Sequence, residues 1–514
     1  MGFLRKIKSC GIDLLLSVLT GGLLALALPG FNIFPLAFIG FALFFYTAER
    51  KVISAKVISF IVGFIFYTTG LSWIGTPMTL FGGAPLYAGV ALVVLTGIVG
   101  AALFWFPFGL VFDKTRSLLL SGLVFIALEM AKSNILFGGL PWLNIGQTQY
   151  NNIYALQIVS IGGEYVLSLL VILIGGGLYK AIILRRKENF AALAVLLVVA
   201  FGYGFLRLAL SRPLEPSYTV RLVQTGLKQE DKWDHSKRNE VLVFLKREVS
   251  DAIFADGEYD LLILPETAFP TNPFTISTVA DLIMRGSIGH PIILGYDRYE
   301  LNEEGGRALF NSAVMINDME FSQVYDKMKL APFGEYFPLE KLLKPIKKYF
   351  FGDSTGFTAG SKRILFEYTL RYKDIKAAPL ICFEGAFSGI ISGSVNAGAN
   401  LLVVISNDSW FGESIGRVQN FAINMVRAAE YKRYILRSTQ DGLTGVISPY
   451  GGITARLPEK SSAYGDFNFE PISDITLFAR FGYIWYVVTV AAYAFWYAKF
   501  ARKKDAQTLD GGKL

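Results

Sequence analysis

The chain opens with long apolar stretches that carry almost no charge, and its texture changes near position 213. A helix rises 1.5 Å per residue and bilayer hydrocarbon is about 30 Å thick, so a span needs about 20 mostly apolar residues. Seven such stretches precede position 210, at 12–28, 33–48, 57–73, 86–112, 117–137, 163–184 and 190–208, and an eighth covers 481–500. From 218 to 469 the pattern becomes short β-branched runs separated by Gly, Pro, Asn and Asp. It predicts strands at 218–223, 261–264, 291–294, 313–316, 377–381, 401–405 and 445–447. A helix capped by Ser236 is expected between the first two, with Leu242, Leu245, Val249 and Ile253 on one stripe, and another over 418–434. Strands and helices interleaved over about 250 residues make one α/β domain. The expected organisation is a seven-helix membrane domain at 1–212, the α/β domain at 213–470, a final membrane helix at 471–500 and a polar tail at 501–514.

Composition sharpens this picture. Hydrophobic residues make up 53% of the chain and the mean hydropathy is +0.44, which excludes an ordinary cytosolic globule. The net charge of +8 is a topology signal on loops rather than a nucleic-acid footprint. Arg5, Lys6 and Lys8 precede the first span, Arg50, Lys51 and Lys56 follow the second, Lys114 and Arg116 the fourth, and Arg185, Arg186 and Lys187 the sixth. Those loops all lie on one side, so the α/β domain is expected outside the cytoplasm; Arg502, Lys503 and Lys504 close the last helix on the basic side. Two carboxylates stand inside apolar segments and need a partner or a wet cavity. Glu129 is spaced to pair with Lys132 on one helix face, and Glu164 has no partner legible in sequence.

Two cysteines, Cys10 and Cys382, and two histidines, His235 and His290, exclude a zinc cluster and a disulfide-stapled scaffold. Cys382 ends an apolar strand and precedes Phe383-Glu384-Gly385. A strand-to-turn position lifts a side chain out of the sheet and aims the next backbone N–H at a developing oxyanion, which suits a nucleophile; a buried structural thiol is the equal alternative. A thiol needs a base or a neighbouring cation. His290 precedes a strand in a Gly-His-Pro turn and His235 lies in a polar loop, neither a place for a catalytic base, which leaves carboxylates and lysines. Glu266 follows the strand Leu261-Leu262-Ile263-Leu264-Pro265, where active sites gather in α/β sheets. Lys327 and Lys329 lie in a charged run ending at Glu335, which read alone is also compatible with a solvated face.

Together these pieces resemble the carbon-nitrogen hydrolase (nitrilase) superfamily. The resemblance rests on Leu264-Pro265-Glu266, on Lys327 eight residues before the glutamate of Pro332-Phe333-Gly334-Glu335, on Cys382-Phe383-Glu384, and on Asn407-Asp408-Ser409-Trp410-Phe411. With the membrane helices, Leu140-Pro141-Trp142-Leu143, Trp233, Arg437-Ser438-Thr439 and Phe478-Ala479-Arg480-Phe481-Gly482, nearly the whole chain resembles the apolipoprotein N-acyltransferase family. The resemblance implies a bundle of about eight helices carrying an extracytoplasmic α-β-β-α sandwich. It implies a Glu266, Lys327 and Cys382 triad, with Trp233, Glu335, Phe383, Glu384 and Trp410 in support. Phe383 stands where tyrosine is common in the family, so a hydroxyl is lost there. Further implications are a phospholipid acyl donor, a diacylated lipoprotein acceptor, a place in the bacterial inner membrane, and no metal, cofactor or nucleic acid. A membrane-tethered amidase and a transporter or binding scaffold are the other classes compatible with the residues alone.

Overall fold

The computed structural model describes all residues except 1, 81–82, 136–137, 212–214, 216, 302–306, 339–355 and 497–514. Arg502, Lys503, Lys504 and the polar tail therefore lie outside the described residues.

Between 218 and 469 the alternation of apolar side chains builds two six-stranded sheets. In chain order the strands are β1 (Tyr218–Gln224), β2 (Leu261–Ile263), β3 (Ile292–Leu301), β4 (Arg307–Asn317), β5 (Glu320–Asp326), β6 (Phe366–Leu370), β7 (Lys373–Ile381), β8 (Leu401–Ser406), β9 (Ile435–Thr439), β10 (Gly445–Ile447), β11 (Ile453–Arg456) and β12 (Ala463–Phe469). The sheet orders are β12-β1-β2-β3-β4-β5 and β11-β10-β9-β8-β7-β6. In each, the central neighbours are parallel, β2 with β1 and β3, and β8 with β7 and β9.

Parallel strands buried on both faces read as unbroken apolar runs, and here each face has its own core. Leu261, Ile263, Ile293, Leu401, Val403 and Ile405 point between the sheets. Leu262, Leu264 and Ile292 pack under the Arg238–Phe254 and Ser277–Gly286 helices. Ala378, Leu380, Leu402 and Val404 pack under the Ser388–Asn396 and Gly416–Tyr431 helices. The result is an α-β-β-α sandwich. All seven expected strands form; β5, β6, β9, β11 and β12 are additional, and of these β5 and β11 are largely exposed while β12 alternates half-buried and exposed positions, so they carry little apolar signal. The Ser236 cap is corrected: Asp234 accepts from the Ser236 N–H in a short turn, and the helix proper starts at Arg238.

Before 210 the structure is helical. Among the described residues four helices are long and apolar enough to cross a membrane, at 7–26, 86–115, 164–184 and 187–209, and a fifth forms if Ala55–Gly70 and Ser72–Leu80, bent by 51°, count as one span. The expected span at 57–73 is thus a broken one. Pro35–Glu49 and Ile484–Trp496 are shorter apolar helices, and Leu118–Asn134 has 17 residues. An aromatic core of Phe41, Phe44, Phe45, Trp105, Phe108 and Phe125 locks the bundle. Basic loops meet at one end: Asp113 accepts from the Ala55 and Lys56 N–H groups, and Arg116 donates to the Ala48 carbonyl. At the other end of the Ala55–Gly70 helix, Gln419 of the sandwich donates to the Gly70 carbonyl and accepts from Trp73 Nε1. The sandwich therefore sits opposite those basic loops.

Candidate active site

Three strand ends converge. Glu266 leaves β2 and is followed by Thr267 at φ +44°, Lys327 leaves β5, and Cys382 leaves β7 at φ +51°. A left-handed backbone at a residue with a Cβ costs about 1–2 kcal/mol, which the surrounding sheet must over-determine. At Cys382 it turns the chain sharply from strand into a short helix over Cys382–Ala386, whose first N–H groups have no partner within the helix.

Lys327 is 1% exposed, and its Nζ lies 2.8 Å from Glu335 Oε1 and 3.5 Å from Glu266 Oε1. Asn311, on β4, ties the two carboxylates together, donating to Glu266 Oε1 at 2.7 Å and Glu335 Oε1 at 2.8 Å. Glu266 Oε2 accepts from the Asn407 N–H at 2.7 Å, and Glu335 Oε2 from the Ala331 N–H at 2.7 Å. Burial works against charge on Lys327, but Glu335, Glu266 and the neighbouring thiol outweigh it and raise its pKa, so the ammonium persists. Burial pushes the Cys382 thiol up to about 12; Glu266 pushes the same way, while Lys327 and the Ser406 hydroxyl pull it down. The resting sulfur is therefore a neutral thiol, facing one carboxylate and one ammonium.

Glu384 lies behind this cluster. Fully buried, it accepts from Tyr325 Oη, the Met328 and Lys329 N–H groups and the Ile381 N–H, at 2.8 to 3.0 Å. Burial pushes it up to about 7, against the pull of the Ile381 N–H and Lys327. Its contacts bind the Lys327 loop to the Cys382 turn. Lys329, the rival of Lys327, points elsewhere, with its Nζ 5.2 Å from the Phe387 ring. Phe383 stacks on Trp142 of the membrane domain at 5.4 Å and 16°. Trp233 and Trp410 stand at the solvent-facing rim, 47% and 39% exposed. Their turns are joined where Asn407 Nδ2 donates to Gln229 Oε1 at 2.9 Å. His290 packs on Tyr259, and Cys10 lies in the first helix.

Several site residues were not foreseen. Asn311 lay two positions before the expected strand. Lys232 is buried, donates to the Thr267 carbonyl and is lowered to about 7 by burial, against the pull of Asp297 and Glu266. Asp297 is pushed up to about 6 by the same cause. The adjacent Gln229-Glu230-Asp231-Lys232 run reads as a solvated face, and only the fold turns Lys232 inward. Asp408 and Arg437 form a buried pair at 2.6 Å that holds the Asn407 turn, which explains both motifs. Glu129 and Lys132 do not pair. Glu129 accepts from the Ile145 N–H and Lys132 donates to the Trp142 carbonyl, both at 2.6 Å, because the irregular Trp142-to-Ile145 segment offers backbone groups that need partners inside the bundle. Glu164 pairs with Arg427 of the sandwich.

A family model described as "Apolipoprotein N-acyltransferase N-terminal domain" matches residues 20–177, and one described as "Carbon-nitrogen hydrolase" matches 219–474. A protein of Pseudomonas syringae pv. tomato named apolipoprotein N-acyltransferase is 31% identical over 88% of this chain and 90% of its own length. One of the same name from Geobacter metallireducens is 32% identical over 87% of both chains. Among solved structures, Saccharomyces cerevisiae Nit3, a member of branch 10 of the nitrilase superfamily, is 19% identical with a TM-score of 0.37, covering 51% of this chain and 93% of its own. Near-complete coverage by such relatives, with both family models in the order of the two structural parts, means that this chain belongs to the apolipoprotein N-acyltransferase family.

Proposed function

We propose that the protein moves an acyl chain from a membrane phospholipid to the α-amine of a diacylglyceryl-cysteine lipoprotein, with Cys382 as the carrier. The observation that supports this most is the buried Glu266, Lys327 and Glu335 cluster facing the thiol on a turn stacked against the membrane domain. Relatives named apolipoprotein N-acyltransferase over most of the chain support the reaction class.

In the first half-reaction Glu266 accepts the thiol proton and the sulfur attacks the ester carbonyl. The carbon–oxygen bond breaks, the alkoxide takes the proton back, and lysophospholipid leaves a thioester on Cys382. In the second, the lipoprotein amine attacks the thioester, Glu266 takes its proton, and the thiol is re-formed as the amide departs. Splitting one acyl transfer in this way predicts ping-pong kinetics. Lys327 and the Phe383 N–H stabilise each oxyanion; loss of one such donor typically costs about 10²–10³ in rate. Asn311 holds Glu266 and Glu335 around Lys327, while Glu384 and Phe383 hold the turn. Trp233 and Trp410 line the approach for the acceptor.

Moving a lipid fully into water is prohibitive at about 0.8 kcal/mol per CH₂, so both substrates enter sideways from the bilayer. The domain limits given above, the inner membrane and the extracytoplasmic position of the sandwich are part of this reading; the basic loops opposite the sandwich support it. The test incubates purified protein in lipid nanodiscs with radiolabelled phospholipid and a diacylglyceryl-cysteine peptide. Acyl-peptide and lysophospholipid should appear in equal amounts, and Cys382→Ser should yield neither. Free fatty acid in place of acyl-peptide would mean that water is the acceptor, as in an amidase.

A further inference from the structure

A cavity of about 370 Å³ opens beneath the sandwich and shares no lining residue with the Cys382 site. Its wall includes Arg207, in the last turn of the 187–209 helix, and Thr476 and Leu477, where the chain turns toward the final apolar helix. The cavity therefore lies where one membrane helix ends and the last begins, at the boundary between hydrocarbon and water. Around it Phe205, Leu206, Leu210, Ile475 and Leu477 are exposed, a rim of large apolar side chains at bilayer level.

The interior is polar and cationic. Arg207 Nη1 donates to the Gln157 carbonyl at 3.2 Å and to Gln157 Oε1 at 3.0 Å, both neutral acceptors, and its guanidinium lies 5.4 Å from the Tyr450 ring. Among the described residues no carboxylate is within ion-pair reach of it. A guanidinium carries five N–H donors in a fork matched to phosphate oxygens, and most of this fork is left for a ligand. Lys432, also in the lining, pairs with Asp474 at 2.6 Å. The Ser160 hydroxyl donates to the Gln157 carbonyl at 2.8 Å and accepts from the Tyr203 hydroxyl at 3.0 Å, so both are held in place and the donors left for a ligand are those of the cations. Two cations against one carboxylate leave one positive charge unbalanced, the complement of one phosphodiester.

We propose that this cavity binds the phosphodiester headgroup of a bilayer glycerophospholipid, with its acyl chains over the apolar rim, as a second lipid site apart from Cys382. The inference rests on the membrane reading of the helices and does not depend on acyl transfer.

The test uses full-length protein in detergent micelles with Cys382→Ser, so that no chain can be transferred, and counts lipid adducts by native mass spectrometry. Phosphatidylglycerol is titrated, with diacylglycerol of the same chains as the headgroup-free control and inorganic phosphate as the lipid-free anion. A saturable phosphatidylglycerol adduct is expected, weakened about tenfold or more by Arg207→Ala and less by Arg207→Lys. Lys432→Ala, at the second lining cation, should weaken it as well and stands in if Arg207→Ala does not fold. Unchanged binding in the folded variants, or equal binding of diacylglycerol, overturns the proposal. Phosphate binding as tight as the lipid would make this a simple anion site and overturn it too. Acyl transfer by protein with Cys382 intact is scored separately, so a failure of the proposed function leaves this result readable.

Discussion

At the scale of single residues, the site combines a neutral thiol with charges that stay in place. Burial and Glu266 hold the Cys382 proton on, so thiolate is scarce at neutral pH and grows as pH rises. In a Cys10→Ser background, alkylation by iodoacetamide should therefore accelerate about tenfold per pH unit well past the ordinary thiol range near 8.5. A plateau between pH 8 and 9 would contradict this electrostatic picture. Lys327 favours the thiolate, so Lys327→Met should slow alkylation at every pH, even though it removes no part of the thiol. Cys382, Glu266 and Lys327 were each legible in sequence because their chemistry is rare in its setting: one thiol at a strand end, one carboxylate after Leu-Pro, one lysine in register with Glu335. Asn311 and Lys232 were not, because a buried amide or lysine has no sequence signature apart from the partners it finds.

At the scale of elements, the nucleophile turn is braced from two directions. The Gly416–Tyr431 helix holds it through Asn424, which donates to the Gly385 carbonyl, and Arg427, which donates to the Ala386 carbonyl, both at 3.1 Å. From the membrane side, Lys132 and Glu129 fix the Trp142-to-Ile145 segment, and the Trp142 ring stacks on Phe383. In the proposed reaction the Phe383 N–H, next to Cys382, is an oxyanion donor that the stack orients. Trp142→Ala should lower kcat about 10- to 100-fold, since a misplaced reacting group far from a chemical change can cost on that order. Trp142→Phe should restore most of it, and initial-rate kinetics on the nanodisc assay would decide. An effect confined to KM would place Trp142 in substrate binding instead. The helices and the central strands of these elements follow from periodicity; the breaks at Leu71 and around Trp142 do not, because an apolar run reads the same whether or not its helix continues.

At the scale of the whole molecule, the two parts are joined by buried charge. Arg427 of the sandwich pairs with Glu164 of the membrane domain and with Glu430, all three nearly inaccessible, and Glu430 also accepts from the Glu164 N–H at 2.7 Å. Removing one partner of such a group leaves a charge uncompensated and costs about 3–5 kcal/mol. Arg427→Leu, which leaves the buried Glu164 and Glu430 carboxylates without their shared cation, should therefore lower the thermal midpoint of the whole protein in detergent, with both parts unfolding earlier. Unfolding of the membrane part alone would show that the pair does not couple them.

Apolar length and alternation were enough to divide this chain into membrane helices and a layered α/β domain, because transfer of side chains out of water depends on their order along the chain. Spaced polar motifs were enough to point to a family and to three candidate residues that the fold then brings together. What needed the folded chain was everything that depends on distances between segments far apart in sequence: which carboxylates share Lys327, that Glu129 and Lys132 hold a backbone rather than each other, that Arg427 answers Glu164, and that Arg207 and Lys432 line one cavity. Those contacts are Coulombic and hydrogen-bonded, and their strength is set by separation and burial, which no one-dimensional pattern contains.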